Sequence, residues 1–247
     1  MKILAIGNSF SQDATRYLQQ IAKAGGFQAE VVNLYIGGCS LERHWKNFKE
    51  DKKFYSYELN GNETGRYVSI MEAVNEGGWD VITLQQVSSE SGRYNSYLPY
   101  LTDLYTQVRA LSPTSQFWIH QTWAYDHFST HPDFKFYQKD SGEMYKSLRN
   151  CYQKAAEEIG ARIIPTGDVI QTLRQRETFD LLSGGMSLCR DTYHLSLDYG
   201  RYAAAAVWYE TLFGGDIREN TYKLPVKNPN QAVLKEIREV VHSCCKR

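Results

Sequence analysis

Residues 2–11 read KILAIGNSFS, in which an apolar run from Ile3 to Ile6 breaks into Gly7-Asn8-Ser9-Phe10-Ser11. A short apolar run that stops at a glycine is typical of a buried strand, so we predict a strand at 2–6. The stretch 12–24 has apolar residues at helical spacing and is followed by Gly25-Gly26, which favours a helix that ends there. The chain therefore begins with a strand, a polar turn that carries a serine, and a helix.

Strands and helices continue to alternate beyond this first unit. Further strands are predicted at 30–36, 80–84, 116–120 and 161–164, and helices at 41–49, 70–75, 99–111, 142–159 and 198–213. Parallel strands need a crossover connection, which a helix usually supplies. The alternation therefore predicts an α/β fold, a three-layer α/β/α sandwich around a mainly parallel five-stranded sheet.

Two segments lie outside this alternation. Residues 54–69 contain Asn60-Gly61 between two strand-like runs, which predicts a small β-hairpin inserted at the edge of the domain. Residues 214–247 form a tail with one amphipathic helical stretch at 231–241. No internal repeat or low-complexity linker divides the chain, so we interpret residues 1–247 as a single domain.

Polar residues follow each of the first four predicted strands. Ser9 follows the first strand, Gly37-Gly38 the second, Gln85-Gln86 the third, and His120 stands at the end of the fourth. Ligands of open α/β sheets bind outside the carboxyl ends of the strands. We therefore expect these residues to meet at one site, with Trp123 and Tyr125 just beyond the fourth strand lining a cleft.

Near the other end of the chain, Asp191-Thr192-Tyr193-His194 places a carboxylate three residues before an imidazole. A serine becomes a useful nucleophile when a base takes its proton and a third group orients that base. Ser9, His194 and Asp191 are the residue types that this chemistry needs. The structural alternatives are that Ser9 caps the first helix, that His194 is a surface histidine, and that Asp191 caps a turn.

Composition excludes several other classes of function. The 28 basic and 28 acidic residues balance and no long basic run occurs, so we expect no nucleic-acid partner. No stretch is long and apolar enough for a membrane span. The five cysteines lack metal-ligand spacing, and we predict neither a metal nor a cofactor. No signal peptide is visible, so we expect a cytoplasmic protein, or a secreted or periplasmic one if a leader has been removed.

These motifs resemble those of the SGNH (GDSL-like) hydrolase superfamily, and more narrowly its uncharacterised, DUF4886-like branch that opens with G-N-S-F-S. The resemblance covers roughly residues 2–213, and it implies a flavodoxin-like sheet and ester hydrolysis through an acyl-enzyme. It assigns Ser9 as the nucleophile, His194 as the base and Asp191 as its partner. The backbone N–H groups of Ser9 and Gly38 would bind the oxyanion.

The chain departs from the family pattern at two places. Asn8 stands where the family usually has Asp before the serine, and Thr83-Leu84-Gln85-Gln86 stands where the family has Gly-x-Asn-Asp with an oxyanion-binding asparagine. A glutamine amide donates the same kind of hydrogen bond. We therefore predict Gln86 as the side-chain donor, with Gln85 second, since alternation along a strand directs only one of them into the cleft.

The predicted substrate is a small ester, an O-acetyl group on a carbohydrate, because Trp123 and Tyr125 in the expected cleft suit a ring-shaped or sugar substrate, with His120 beside them. The competing interpretations are a lipase or thioesterase for longer acyl chains and a non-catalytic carbohydrate-binding protein on the same fold. The sequence gives no information on the oligomeric state.

Overall fold

A mixed sheet of seven strands forms the centre of the molecule. In the computed structural model, which describes residues 1–246, the strands are β1 (Lys2–Gly7), β2 (Glu30–Tyr35), β3 (Tyr55–Leu59), β4 (Asn62–Val68), β5 (Val81–Leu84), β6 (Gln116–His120) and β7 (Arg162–Ile164). Their order across the sheet is β4-β3-β2-β1-β5-β6-β7. The strands β2, β1, β5, β6 and β7 are parallel, so the prediction of an α/β fold is confirmed.

The prediction of a five-stranded sheet is wrong, because the hairpin joins the sheet instead of standing apart as an insertion. Strand β3 pairs antiparallel with β2, with Leu34 opposite Tyr57, and β4 then pairs antiparallel with β3. Strand β4 is exposed over residues 62–67 and carries Glu63 and Arg66. Charged residues on an edge strand discourage pairing with another chain, so β4 is a well-protected edge.

Nine helices accompany the sheet in the described residues: α1 (Ser9–Thr15), α2 (Leu18–Ala24), α3 (Leu41–Lys49), α4 (Ile70–Asn75), α5 (Tyr100–Leu111), α6 (Ser141–Ile159), α7 (Thr166–Arg174), α8 (Tyr199–Phe213) and α9 (Gln231–Cys245). One packing group contains α1, α2, α7, α8 and α9, and the other contains α3, α4, α5 and α6. The tail helix α9 packs on α7 and α8 and so belongs to the first group. None of the helices in residues 1–246 combines the length and the apolar character that crossing a membrane requires.

The chain reverses its direction across the sheet at β1. From β1 it moves to β2 on one side, and it then returns to β5 on the other side of β1. Right-handed crossovers that run in opposite directions place their helices on opposite faces, which leaves a crevice at the carboxyl ends of β1 and β5. This crevice is the expected position of a ligand site, and Ser9 lies directly after β1.

Candidate active site

Ser9 is the first residue of α1, and its neighbour Asn8 is the helix cap. The Oδ1 atom of Asn8 accepts a hydrogen bond from the N–H of Phe10 at 3.0 Å, and the Oγ of Ser11 accepts from the N–H of Asn8 at 3.1 Å. The alternative that Ser9 itself caps the helix is therefore wrong. Its hydroxyl is available for another partner, because Asn8 and Ser11 complete the capping box.

The structure brings Ser9, His194 and Asp191 into one chain of hydrogen bonds. The Nε2 of His194 lies 2.8 Å from the Oγ of Ser9, and its Nδ1 lies 2.7 Å from the Oδ2 of Asp191. A carboxylate only accepts, so Nδ1 carries the ring proton and Nε2 accepts the proton of the serine hydroxyl. This is the geometry that a general base and its orienting carboxylate require.

Asp191 is held as a carboxylate in this arrangement. Partial burial by itself raises the pKa of its carboxyl group, but the hydrogen bonds from the ring and the backbone N–H of His194 outweigh that effect and lower the pKa below its ordinary value. The side chain thus keeps its negative charge and can stabilise an imidazolium beside it.

A buried aspartate of α1 holds the His194 segment against this helix. Asp13 is fully buried, and its Oδ2 accepts from the backbone N–H of Leu195 at 2.9 Å. Arg190 donates to both oxygens at 3.0 Å, and Arg201 donates to Oδ1 at 2.7 Å. Asp13 was not predicted from the sequence, although an acidic residue between the buried apolar positions of a helix is a visible signal.

The backbone within the Asp-x-x-His segment is strained. Thr192 has φ 73°, a left-handed conformation that a β-branched residue rarely adopts and that costs about 1–3 kcal/mol. Its carbonyl oxygen accepts from the N–H of Asp126 at 2.7 Å, and its hydroxyl donates to the Oγ of Ser129 at 3.1 Å. Asp126 is fixed in turn by a buried ion pair with Arg174. The tertiary structure thereby holds the conformation that places Asp191 beside the imidazole.

Two backbone N–H groups at the pocket are available to an oxyanion. Ser9 and Gly38 both line the cavity, and neither N–H has a hydrogen-bond partner among residues 1–246. The first N–H of a helix has no intrahelical acceptor, which explains the free donor of Ser9. Gly38 has φ 61°, a conformation that favours glycine. Gly38, which the resemblance predicts as an oxyanion donor, therefore lines the same cavity as Ser9.

The prediction that Gln86 supplies a third donor is wrong. Its Nε2 donates to the carbonyl oxygen and the Oγ of Ser96, at 2.9 and 3.1 Å, and its Oε1 accepts from the N–H groups of Leu41 and Val87. The side chain is fully buried and is absent from the pocket lining in the described residues. Gln86 therefore ties α3 to the loop after β5, because all of its hydrogen-bonding capacity is used there.

Gln85 does not line the pocket either, but it contacts Asn8, the residue before Ser9. Its Nε2 donates to the Oδ1 of Asn8 at 2.8 Å, and its Oε1 lies 2.7 Å from the Nδ1 of His120. The Nδ2 of Asn8 donates to the carbonyl oxygen of Cys39 at 3.0 Å. Since Phe10 and Cys39 present a backbone donor and a backbone acceptor, the orientation of both amides is fixed.

His120 completes this buried chain instead of lining a cleft. Its Nδ1 must donate to Gln85, and its Nε2 has no hydrogen-bond partner among residues 1–246. Burial lowers the pKa of His120 to about 3, so the ring stays neutral at physiological pH. Asn8, Gln85 and His120 therefore link the carboxyl ends of β1, β5 and β6, and through Cys39 they hold the loop that carries Gly38.

Replacing Gln85 by leucine is expected to lower kcat for the ester hydrolysis that the resemblance implies by about tenfold with little change in KM, because Asn8 would lose one of its fixed contacts and the spacing between the N–H groups of Ser9 and Gly38 would loosen. Steady-state kinetics with p-nitrophenyl acetate measure this effect. Gln19→Leu, at a half-buried position on α2, is the matched control. An unchanged kcat in a Gln85→Leu protein of unchanged Tm would show that Gln85 does not position the site.

The prediction that Trp123 and Tyr125 line the cleft is also wrong. Trp123 and Tyr125 are fully buried and lie behind the pocket. The indole N–H of Trp123 donates to the carbonyl oxygen of Tyr193 at 2.7 Å, and the ring stacks on Phe10 at 4.3 Å. The hydroxyl of Tyr125 forms a 3.0 Å hydrogen bond with the Oγ of Ser88. Both residues support the residues that line the pocket.

The pocket itself has a volume of about 320 Å³, and its walls are polar and apolar in about equal parts. It is lined by Ser9, His194 and Gly38, by their neighbours Asn8, Phe10 and Gly37, and by seven residues that were not predicted as site residues: Tyr35, Val87, Ser88, Ser89, His131, Asp133 and Tyr193. Tyr193 lies inside the Asp-x-x-His motif, and Val87 and Ser88 follow the glutamine pair. His131 and Asp133 come from the segment between β6 and α6, where Asp133 lies in a short 3₁₀-helix that no motif marks.

One group of potential metal ligands lies elsewhere in the described residues. Glu210, Asp216 and His242 bring their ligand atoms within 4.8 Å of one another, and His242 bonds to both carboxylates. Arg218 donates to both oxygens of Asp216, with its Nη2 at 2.6 Å. We interpret this group as an ion-pair cluster that connects α8 with α9, because its charges already have protein partners.

Comparison with known proteins identifies the family and the fold. The profile described as "Domain of unknown function (DUF4886)" matches residues 2–239. A DUF4886 family protein from Bacteroides uniformis has a crystal structure with TM-score 0.91 and 37% identity, covering 99% of this chain and 94% of that one. A search of curated protein sequences finds no match.

More distant structures share the fold. A candidate SGNH hydrolase from Slackia heliotrinireducens has TM-score 0.59 and 19% identity, covering 86% of this chain and 98% of its own. The acetylxylan esterase Axe2 from Geobacillus stearothermophilus has TM-score 0.55 and 14% identity, covering 92% and 97%. The chain therefore belongs to the DUF4886 family, with the fold of the SGNH hydrolases.

Proposed function

We propose that this protein is a serine esterase that works through an acyl-enzyme and removes O-acetyl groups from carbohydrates. The observation that carries the proposal is the hydrogen-bonded chain of Ser9, His194 and Asp191 at the edge of a pocket that also holds two free backbone N–H groups. A nucleophile, an oriented base and oxyanion donors are together what acyl transfer needs.

In the proposed reaction, the Oγ of Ser9 attacks the ester carbonyl carbon while its proton passes to the Nε2 of His194. The oxygen of the tetrahedral intermediate becomes negative and accepts hydrogen bonds from the N–H groups of Ser9 and Gly38. His194 then gives its proton to the leaving alcohol, and an acyl-Ser9 ester remains. Water, deprotonated by His194, attacks this ester; the tetrahedral intermediate then breaks the bond to the Oγ of Ser9, which takes the proton back from His194 as the carboxylic acid leaves.

The size and the polarity of the pocket support a small acyl group. About 320 Å³ is at the low end for ligand pockets, and Ser88, Ser89 and Asp133 provide polar walls. A long acyl chain needs a broad apolar cleft, because its burial is driven by apolar contact. These three side chains can form hydrogen bonds with a hydroxylated alcohol. Axe2, which shares the fold at 14% identity, is an acetylxylan esterase, so this fold accommodates deacetylation.

A fluorophosphonate probe and a substrate series test the proposal. We expect one covalent adduct, located on Ser9 by peptide mass spectrometry, and release of acetate from acetylated xylo-oligosaccharides. On p-nitrophenyl esters, kcat/KM is expected to fall as the acyl chain grows from two carbons to eight. A rise with chain length would indicate a lipase or thioesterase, whereas binding of oligosaccharide without any adduct or turnover would indicate a non-catalytic carbohydrate-binding protein.

A further inference from the structure

The pocket carries a carboxylate that has no partner in the protein. Asp133 is half-buried and lines the same cavity as Ser9 and His194. Its backbone N–H donates to the Nδ1 of His131 at 3.2 Å, but no hydrogen bond or ion pair reaches its carboxylate from residues 1–246. The described lining of the cavity contains no lysine or arginine. The charge of Asp133 is therefore uncompensated by the walls of the pocket.

Two cations near Asp133, Arg93 and Lys135, lie against the ring of Phe136 instead. The guanidinium of Arg93 lies 4.6 Å from the centre of the Phe136 ring, and the Nζ of Lys135 lies 5.3 Å from the same ring. Stacking of this kind holds a cation over an aromatic face. Neither cation forms an ion pair with Asp133 in the described part of the chain, so the carboxylate is left to interact with whatever enters the pocket.

Asp133 lies on the side of the pocket where the alcohol part of an ester would bind. The ring of Tyr193 lies 4.4 Å from that of His194, and the ring of His131 lies 5.2 Å from that of Tyr193. Asp133 follows His131 and bonds to its ring, so one wall leads from His194 to the carboxylate. His194 is the group that would protonate the leaving oxygen. This wall therefore borders the leaving alcohol, while Gly38 borders the oxyanion.

We infer that Asp133 selects the substrate by the charge of its alcohol part: the pocket takes esters of neutral or positively charged alcohols and rejects esters of anionic ones. This inference rests on the proposed function. A carboxylate accepts hydrogen bonds from hydroxyl groups and attracts an ammonium group, which the ring of Tyr193 can also contact. An alcohol that carries a sulfonate, phosphate or carboxylate meets like-charge repulsion in a partly desolvated space.

Three acetyl esters of matched shape isolate the effect of charge. Acetylcholine, 3,3-dimethylbutyl acetate and 2-acetoxyethanesulfonate share the acetoxyethyl group and end in a positive, a neutral and a negative head. We expect kcat/KM of the wild-type protein to be highest for the cation and lowest for the anion. In Asp133→Asn, the ratio of kcat/KM for the cation to that for the anion is expected to fall by about three- to tenfold at low salt.

The salt dependence of this ratio and a variant that loses one negative charge elsewhere separate the effect of Asp133 from an effect of net charge. The wild-type ratio is expected to fall as NaCl is raised from 20 to 500 mM, whereas the ratio of Asp133→Asn changes less. Glu63→Gln removes one negative charge from the exposed strand β4 and is expected to keep the wild-type ratio.

The outcomes distinguish this inference from the function on which it rests. Ser9-dependent hydrolysis of the neutral ester, together with a ratio that Asp133→Asn lowers and Glu63→Gln does not, supports the inference. The same hydrolysis with an equal ratio in wild type and Asp133→Asn refutes the inference and leaves the esterase in place. Failure of all three esters to acylate Ser9 refutes the proposed function, and the inference with it.

Discussion

Replacing Ser9 by alanine is expected to lower kcat for acetyl-ester hydrolysis by about 10⁵–10⁶-fold, because the variant has no nucleophile for the base to activate. Binding and the oxyanion donors leave a small residual rate above that of water. The variant is also expected to lose the fluorophosphonate adduct. Steady-state kinetics and mass spectrometry of the labelled protein measure the two effects.

The fold of Ser9→Ala should be intact, since Ser9 is the first residue of α1 and Asn8 caps the helix. An unchanged Tm therefore accompanies the loss of activity. Ser243→Ala, near the end of α9, is the control for a serine far from the pocket, and it is expected to keep the wild-type rate. Full esterase activity in Ser9→Ala would end the proposed mechanism.

Replacing Asp13 by alanine is expected to lower both the stability and the activity of the protein. The change leaves Arg190, Arg201 and the N–H of Leu195 without their shared acceptor inside the protein. Removing one partner of a buried ion pair costs about 3–5 kcal/mol, and the lower end applies here because Arg190 is partly exposed. Thermal unfolding is expected to show a Tm lower by about 6–12 °C.

Asp13→Asn separates positioning from stability, because its side-chain oxygen still accepts from Leu195 while the negative charge is lost. We expect it to fold better than Asp13→Ala and to label with fluorophosphonate more slowly than the wild type. Glu42→Ala, which removes an exposed carboxylate paired with Lys46, is the control and should keep the Tm and the labelling rate. Wild-type Tm and labelling rate in Asp13→Ala would contradict the role assigned to this carboxylate.

The hairpin and the glutamine pair show where reasoning from the sequence reached its limit. The Asn60-Gly61 turn signalled the hairpin, but the pairing of β3 with β2 is a contact between distant segments that no local pattern specifies. Alternation along a strand predicted that one of Gln85 and Gln86 enters the cleft, and this is wrong, because β5 ends at Leu84 and neither side chain lines the pocket. The backbone of Leu41 and the side chain of Asn8 bond to the two amides instead, so both glutamines support the structure around the pocket.

Periodicity, turn residues and short motifs are local properties of a chain, so the α/β class, the five parallel strands and the choice of Ser9, Asp191 and His194 as site candidates could be predicted from them. How these residues are held depends on tertiary contacts. Asp13 fixes the His194 segment, Asn8 and Gln85 fix the loop of Gly38, and Asp133 lines the pocket from a short 3₁₀-helix that no motif marks. These contacts join residues far apart in the chain, so they exist only after the sheet has brought the strand ends together.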